Sequence, residues 1–265
     1  MIKYHINHAS ASLRWGDLSK TMPNIDPTLG SLAIWFKPTG LNGGALGYGW
    51  IWEYWTKEDE WIGLFRYDTG TKLYLRHKAN AVTKDVILTQ ANDSAWHLLI
   101  CDWDTTSGTA ALRVAHGYLD DAAPVTVTSL GAGFSTNLAT SWMGVHNRDY
   151  GGVGDWYLNN CQISAIAVYT KVLSTAEREA MFDTKADLPV IAGNTAFVYN
   201  FNEAQGNYIV DGYEDIVGYL VNPDWQEGDQ KITETDTPLL ESFVYGEARV
   251  YGNTGRLRRI FITHV

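Results

Sequence analysis

The chain has 265 residues, of which 45% are hydrophobic, so it can bury one large core or two small ones. The 11 Trp and 15 Tyr exceed ordinary usage, and aromatic side chains favour pleated, half-buried sheets and stacking surfaces. A formal net charge of −10 argues against nucleic acids and other acidic partners, which are bound through Lys and Arg.

The sequence contains no segment typical of an export signal or a membrane helix. Residues 1–15 lack the apolar core of a signal peptide, and no window approaches the roughly 20 apolar residues that a membrane helix requires. We therefore expect a protein that is made in the cytoplasm and does not insert into a membrane. Cys101 and Cys161 each lie in an apolar run, which predicts two reduced thiols in the core.

Residues 1–29 predict an irregular lead-in, because Pro23 and Pro27 interrupt scattered apolar positions. Residues 31–38, SLAIWFKP, form the first clear strand, which ends at Pro38. Further short strand patterns recur about every ten residues, the spacing of an antiparallel sandwich. These predicted strands are 73–77, 85–89, 96–103, 110–115, 125–130 and 141–146.

The stretch 47–65, GYGWIWEYWTKEDEWIGLF, is the richest in tryptophan. Its charged residues 57–60 predict a hairpin turn, and strand alternation places Trp50, Trp52 and Tyr54 on one face. Such aromatic side chains would fill a sandwich core, stack against sugar rings, or form a protein interface. The candidate carbohydrate-binding residues are Trp50, Trp52, Tyr54, Trp55 and Trp61.

The loop 147–156, NRDYGGVGDW, combines backbone freedom with polar side chains, and loops of this kind often carry function. Asn147, Asp149 and Asp155 are candidate ligands for Ca²⁺, which takes roughly six to eight oxygen ligands from flexible loops. Their spacing matches no EF-hand loop, and a solvated Gly-rich turn is the alternative interpretation. No required cofactor is expected.

The stretch 160–182 predicts a buried strand followed by a capped helix. Apolar residues occupy both faces of 163–169, as is typical of a strand covered on both sides. Ser174 precedes Glu177 by three residues, the spacing of a capping box that opens a helix. The helix residues expected to cover the open end of the sheets are Ala176, Ala180 and Met181.

Three segments, in this order, resemble laminin-G-like, concanavalin-type jelly rolls. Residues 31–38 resemble the family's FTISFWVKP strand, residues 94–100 resemble its GQWHHVAV strand, and residues 168–177 resemble its ending, VY, then LS, then Glu. The resemblance covers about residues 20 to 183. The family usually has Gly-x-Ile-Asp before its final strand, where this chain has residues 161–164, CQIS, so no role of that Asp is carried over.

Together, these features predict an all-β fold, an antiparallel two-sheet jelly-roll sandwich with one short helix near 174–183 and a C-terminal β-hairpin. Residues 1–189 form the jelly roll with its lead-in. Residues 190–241 supply strands that complete the same sandwich, because about 70 residues cannot readily close a second one. The segment 195–211 resembles a motif that usually opens a domain of this family, so a truncated second copy is the alternative.

Residues 242–265 predict two strands joined at 252–255, and they hold four of the chain's 20 Lys and Arg but only one acidic residue, Glu247. A two-stranded hairpin is marginal alone, so it must dock on its own domain or on a neighbouring subunit. A basic hairpin on an acidic protein favours addition to a neighbour's sheet. The candidate assembly residues are Tyr245, Arg249, Tyr251, Arg256, Arg258 and Arg259.

The preferred functional interpretation is a non-catalytic structural or recognition protein of a virus particle, such as a bacteriophage capsid decoration, tail or fibre. It would lie at the virion surface, with copies of itself or other virion proteins as partners and a cell-surface glycan as a target. The alternative is a free-standing carbohydrate-binding module, which shares the fold and the aromatic surface.

The third interpretation, a glycoside hydrolase or polysaccharide lyase of the same fold, is the least favoured. Retaining glucanases of this architecture resemble one another in Glu-x-Asp-x-x-Glu, which places two carboxylates on one strand face. Glu53, Glu58, Asp59 and Glu60 do not have that spacing. His97 has no Ser, Cys or Asp partner at a recognisable spacing, so we expect no enzyme and a structural role for this histidine.

Overall fold

The computed structural model describes the backbone at residues 4–8, 15–17, 24–38, 49–57, 59–67, 71–89, 93–134, 140–143, 161–184, 187–201, 208–210, 217–221, 225–227, 230–231, 247–251 and 257–261. It describes side chains at residues 24–38, 49–56, 59–66, 71–89, 93–134, 161–183 and 187–201. Strands are numbered β1 to β19 in chain order, and every paired strand is antiparallel to its neighbour.

The first sheet has nine strands within these residues. In spatial order they are β10 (Val125–Thr128), β9 (Val114–Leu119), β8 (His97–Asp104), β3 (Leu29–Pro38), β12 (Cys161–Tyr169), β1 (Tyr4–His8), β16 (Trp225–Glu227) and β17 (Gln230–Lys231), and β13 (Thr195–Tyr199) also pairs with β12. Strand β12 is therefore an interior strand, as predicted, with β3 on one side and β1 and β13 on the other.

The second sheet has eight strands in the described part of the chain. In spatial order they are β14 (Tyr208–Val210), β15 (Val217–Val221), β2 (Trp15–Asp17), β11 (Thr140–Met143), β4 (Gly49–Lys57), β5 (Glu60–Tyr67), β6 (Lys72–Ala79) and β7 (Val82–Thr89). Strands β18 (Glu247–Tyr251) and β19 (Leu257–Phe261) pair with each other as a separate hairpin. Strands that follow residue 190 thus contribute to both large sheets.

The main core lies between the two sheets, because alternate residues of each strand point inward. On β6, Leu73 and Leu75 are buried while Tyr74 between them is half-buried. They pack with residues of the first sheet such as Leu32, Ile34 and Cys101. Both cysteines are free and buried, as predicted.

A helix covers the outer face of the first sheet. Helix α1 (Thr175–Thr184) begins with the predicted capping box, in which the Ser174 backbone N donates to Glu177 Oε2 (2.8 Å) and the Glu177 N donates to Ser174 Oγ (3.3 Å). Met181 is buried against that face together with Trp35. The predicted covering of the sheets' open end is wrong: the helix packs on the face, so the side chains at 176 and 180 are exposed.

Two further predictions need correction. The lead-in 1–29 contains strands β1 and β2, whose partners lie more than 100 residues away in β12 and β11. Residues Ala110–Leu112 form a 3₁₀ turn instead of a strand, because the chain reverses there before β9 begins. The remaining strands, with one α-helix in the described ranges, confirm an all-β fold of two antiparallel sheets. No helix in the described ranges is long and apolar enough to cross a membrane.

Candidate functional site

The outer face of the second sheet carries a group of packed aromatic rings. The aromatic cluster consists of Trp50, Trp55, Trp61 and Phe65, with the half-buried Tyr74 against it. A register shift between Trp50 and Trp52 turns the strand, so that Ile51 and Trp52 both enter the main core and Trp50 joins Trp55 outside it. The prediction that Trp50, Trp52 and Tyr54 share one face is therefore wrong for Trp50.

The rings of the aromatic cluster cover one another. The Trp50 ring lies 4.8 Å from Phe65 and meets Trp61 edge-on at 5.4 Å, and Trp55 stacks on Trp61 at 6.3 Å, between ring centroids. Gly63 makes this packing possible, because a Cβ atom there would lie 2.4 Å from the Trp50 ring. Phe65 and Tyr74 stack almost parallel, with centroids 5.3 Å apart.

The five aromatic residues suggested for carbohydrate binding are all buried. Trp52 and Tyr54 point into the main core, where burial raises the pKa of Tyr54 to about 12. Trp50, Trp55 and Trp61 are only 2%, 5% and 7% exposed. The expectation that these residues form an exposed surface is wrong, because their large apolar rings pack against each other and against the core. Their part in glycan binding stays a prediction.

Arg76 and Asp85 form the polar layer above the aromatic cluster. Arg76 Nε donates to Asp85 Oδ1 (2.7 Å) and Arg76 Nη2 donates to Asp85 Oδ2 (2.8 Å), with side chains 30% and 22% exposed. The guanidinium carbon lies 5.2 Å from the centre of the Phe65 ring and 5.9 Å from that of Trp61. A planar cation is thus held in a fixed orientation at the surface by a carboxylate and two rings.

Sequence reasoning missed Arg76 and Asp85. The feature that could have identified them is the two-residue turn at Asn80 and Ala81, whose φ angles of 49° and 60° are typical of a tight hairpin. That turn pairs Ala79 with Val82 and so places Arg76 directly opposite Asp85. Alternation along β6 then puts Arg76 on the outer face.

The carboxylates of the β4–β5 hairpin occupy different environments. Glu53 is fully buried, and Glu60 is 6% exposed and accepts a hydrogen bond from Thr56 Oγ1 at 3.3 Å. Asp59 is 68% exposed and lies 3.1 Å from Lys78 Nζ. Glu58 lies outside the described residues. Of the three described carboxylates, Glu60 thus contacts a residue of the same hairpin, Asp59 contacts β6, and Glu53 is buried, so these three do not form a matched pair at one surface.

Two histidine–carboxylate pairs lie on the first sheet. His97 Nδ1 lies 2.9 Å from Asp120 and Nε2 lies 3.0 Å from Asp93, so both ring nitrogens are engaged. These hydrogen bonds, first the one that Asp120 accepts, raise the pKa of His97. His97 therefore connects the turn before β8, through Asp93, with the turn after β9, through Asp120. This is the structural role that we expected.

The second pair joins His116 Nδ1 to Asp102 Oδ1 at 2.6 Å. Burial raises the pKa of Asp102, and the hydrogen bond from His116 partly offsets this effect. Within the described residues, the hydrogen bonds of this pair include no hydroxyl or thiol that could act as a nucleophile.

The remaining candidate sites lie partly or wholly beyond what the structure describes. Asn147, Asp149 and Asp155, the candidate Ca²⁺ ligands, lie outside the described residues. Among residues that are described, no group of three or more His, Cys, Asp or Glu could hold a metal ion. In the hairpin, the backbone register pairs Arg249 with Arg259, Tyr251 with Leu257 and Val250 with Arg258; Tyr245 and Arg256 lie outside the described residues. The assembly role stays a prediction.

Comparison of the sequence with known protein families and with curated proteins finds no match. Comparison of the structure finds a heptameric SAP-like pentraxin from Limulus polyphemus, with a TM-score of 0.54 and 14% identity over 82% of this chain and 95% of the other. A putative carbohydrate-binding protein from Bacteroides ovatus has a TM-score of 0.57 and 12% identity, over 88% of this chain and 62% of the other. The K499G mutant of NanB sialidase from Streptococcus pneumoniae has a TM-score of 0.51 and 12% identity, over 78% of this chain and 31% of the other. The chain folds as a concanavalin-like jelly roll.

At 12% to 14% identity, the likeness concerns the fold alone.

The two outer faces of this jelly roll differ in what they offer to a ligand. Helix α1 and Leu188 cover the outer face of the first sheet. Across β6 and β7, the outer face of the second sheet presents the half-exposed side chains of Tyr74, Arg76 and Asp85. This face is the candidate functional site.

Proposed function

We propose that the protein is a non-catalytic carbohydrate-binding protein and that Arg76 and Asp85 are the centre of its binding site. The observation that carries the proposal is their two-point ion pair, which is held at the surface above the aromatic cluster. A guanidinium offers several N–H donors and a carboxylate offers acceptors, which together match neighbouring hydroxyl groups of a sugar ring. The half-buried Tyr74 beside them supplies an apolar ring face.

The aromatic cluster has a supporting role in this proposal. Trp61 and Phe65 fix the plane of the Arg76 guanidinium from beneath, so little conformational freedom is lost when a sugar binds. Trp50 and Trp55 hold these two rings in place. The tryptophans would thus contribute by orienting Arg76, and the surface contacts would come from Arg76, Asp85 and Tyr74.

The comparisons support carbohydrate binding more than a role in a virus particle. One protein of similar fold is described as a putative carbohydrate-binding protein, and it matches with a TM-score of 0.57. The similar structures named above include no virion protein, and no described contact favours that role. A bound Ca²⁺, the location of the protein and the hairpin as an assembly arm stay predictions.

Affinity electrophoresis through gels that contain polysaccharides tests the proposal. We expect at least one polysaccharide to retard the protein and Arg76→Ala or Asp85→Ala to weaken this retardation at least several-fold. Arg113→Ala is the matched control, because Arg113 donates to Ser107 O (2.9 Å) near the first sheet, away from this face. Reducing ends released from the same polysaccharides measure cleavage, and we expect none above background. Failure of every polysaccharide to retard the protein would refute the proposal.

A further inference from the structure

An exposed apolar side chain lies beside the proposed binding pair. Ile87 on β7 is 43% exposed, and it pairs across the sheet with Tyr74 on β6. The other large apolar residues that are exposed in the described part of the chain lie outside the second sheet; they are Leu112, Val125 and Val190. On the candidate face, Ile87 is therefore the large apolar side chain most open to a ligand.

The outer face of the second sheet places an apolar row next to the polar pair. The backbone register sets Phe65 opposite Tyr74, and Tyr74 opposite Ile87. Two residues further along the same two strands, Arg76 lies opposite Asp85. Two residues span about 7 Å along a strand, which is the scale of one sugar ring. A single sugar unit can thus contact both rows.

The apolar surface in this row is narrow. The rings of Phe65 and Tyr74 are nearly parallel, at 4°, with centroids 5.3 Å apart, so Phe65 covers one side of the Tyr74 ring. Side chains directly opposite on neighbouring strands have Cβ atoms about 5 Å apart, and the strand order places Ile87 on the other side of that ring. We call Tyr74 and Ile87 the apolar notch. It has room for a methyl group, whereas a whole sugar ring could not lie flat on Tyr74.

We infer that the site selects sugar units that carry a methyl group, which would lie in the apolar notch while hydroxyl groups of the same unit bind Arg76 and Asp85. This inference rests on the proposed function and names the class of sugar. Such a methyl group has two common sources, the C6 atom of a 6-deoxyhexose and the acetamido group of an N-acetylhexosamine. The methyl group gains free energy by leaving water, whereas a hydroxyl group in its place would lose hydrogen bonds to water.

Pairs of sugars that differ at this group test the inference. L-Fucose is compared with L-galactose, and chitotetraose with cellotetraose, by calorimetry and by saturation-transfer NMR. We expect the methyl-bearing member of at least one pair to bind about four-fold more tightly, the effect of burying one methyl group. Its methyl protons should also receive the strongest saturation transfer. The pair that shows the preference identifies the source of the methyl group.

Variants locate the preference at Ile87. Ile87→Thr keeps a β-branched side chain at an exposed strand position, so the fold should be retained. It should reduce the preference to less than about two-fold and change binding of the methyl-free member by less than about two-fold. Ile87→Val should keep most of the preference. Val125→Thr is the matched control and should leave the preference unchanged, since Val125 is 38% exposed on β10 of the first sheet.

The outcomes separate the inference from the proposed function. Equal or tighter binding of the methyl-free members, dependent on Arg76, would overturn the methyl preference and leave carbohydrate binding intact. The same conclusion follows if a polysaccharide retards the protein but neither methyl-bearing sugar binds. A preference that persists in Ile87→Thr would also overturn the inference, because the methyl group would then lie elsewhere. Failure of all four sugars and of every polysaccharide to bind would overturn both.

Discussion

Arg76 on β6 and Asp85 on β7 meet in a two-point ion pair, with N–O distances of 2.7 and 2.8 Å, while the Arg76 guanidinium lies over the Phe65 ring. We expect Arg76→Lys to abolish most glycan binding, since an ammonium group cannot form two parallel hydrogen bonds or lie flat on a ring. The free energy of unfolding should fall by less than about 1 kcal/mol, because both side chains are partly exposed.

Urea denaturation and affinity electrophoresis measure these two effects on the same sample. Asp85→Asn should behave similarly, and the double variant should cost less stability than the sum of the single variants. A large loss of stability with unchanged glycan binding would mean that the pair is only structural.

Gly63 lies beneath the Trp50 ring, where an added Cβ would be 2.4 Å from a ring carbon. We predict that Gly63→Ala lowers the free energy of unfolding by about 1–3 kcal/mol, because Trp50 must move within a packed cluster. Gly108→Ala is the matched control, since no described atom beyond its chain neighbours lies within 4 Å of the corresponding Cβ. Thermal or urea unfolding of both variants checks this, and equal stability of the two would contradict the packing described for Trp50.

The capping box at Ser174 fixes the start of the helix that covers the first sheet. Ser174→Ala removes the oxygen that accepts from the Glu177 backbone N, so the free energy of unfolding should fall by about 1 kcal/mol. Glu179→Ala, at an exposed position later in the same helix, should have a much smaller effect. If the two variants unfold at the same denaturant concentration, the capping box does not stabilise the fold.

His77 makes the stability of the fold sensitive to acid. Its side chain is buried, neither ring nitrogen has a hydrogen-bond partner among the residues that the structure describes, and burial lowers its pKa to about 4. The unfolded chain takes up this proton near pH 6.5, so folding is disfavoured as the pH falls from about 6.5 to about 4. Burial of His77 alone should then lower the free energy of unfolding by about 3 kcal/mol, and this loss is complete below the folded-state pKa.

Unfolding of the wild type and His77→Leu between pH 7.5 and 4 measures that contribution, since other titrating groups affect both proteins equally. The difference in stability between the two should shift in favour of His77→Leu as the pH falls. A difference that does not vary with pH would show that His77 keeps an ordinary pKa in the folded state.

The features of the fold that could be predicted are mostly those that depend on residues close together in the chain. The Ser174 and Glu177 spacing identified a helix start because a capping box involves neighbours in the chain. The apolar run of β12 identified an interior strand because both of its faces are covered. Strands β1 and β2 escaped prediction, because they are short and their pairing with β12 and β11 depends on distant residues.

The candidate site was less accessible to sequence reasoning. The tryptophans of β4 were conspicuous, but the bulge that sends Trp50 to the outer face is set by the register between β4 and β5. Burial of Trp55 and Trp61 likewise results from tertiary packing, which composition does not specify. Arg76 and Asp85 are ordinary charged residues in sequence, and only their cross-strand pairing brings them together above the rings.

Hydrogen exchange of the backbone amides, with and without the polysaccharide that retards the protein most, tests most directly whether the outer face of β5 to β7 binds carbohydrate. The account predicts slower exchange across residues 60–67 and 72–89 in the wild type, no change in residues 175–184 of the helix on the opposite sheet, and loss of this protection in Arg76→Ala. Protection confined to the first sheet or to the helix, or protection that persists in Arg76→Ala, would contradict the proposed site.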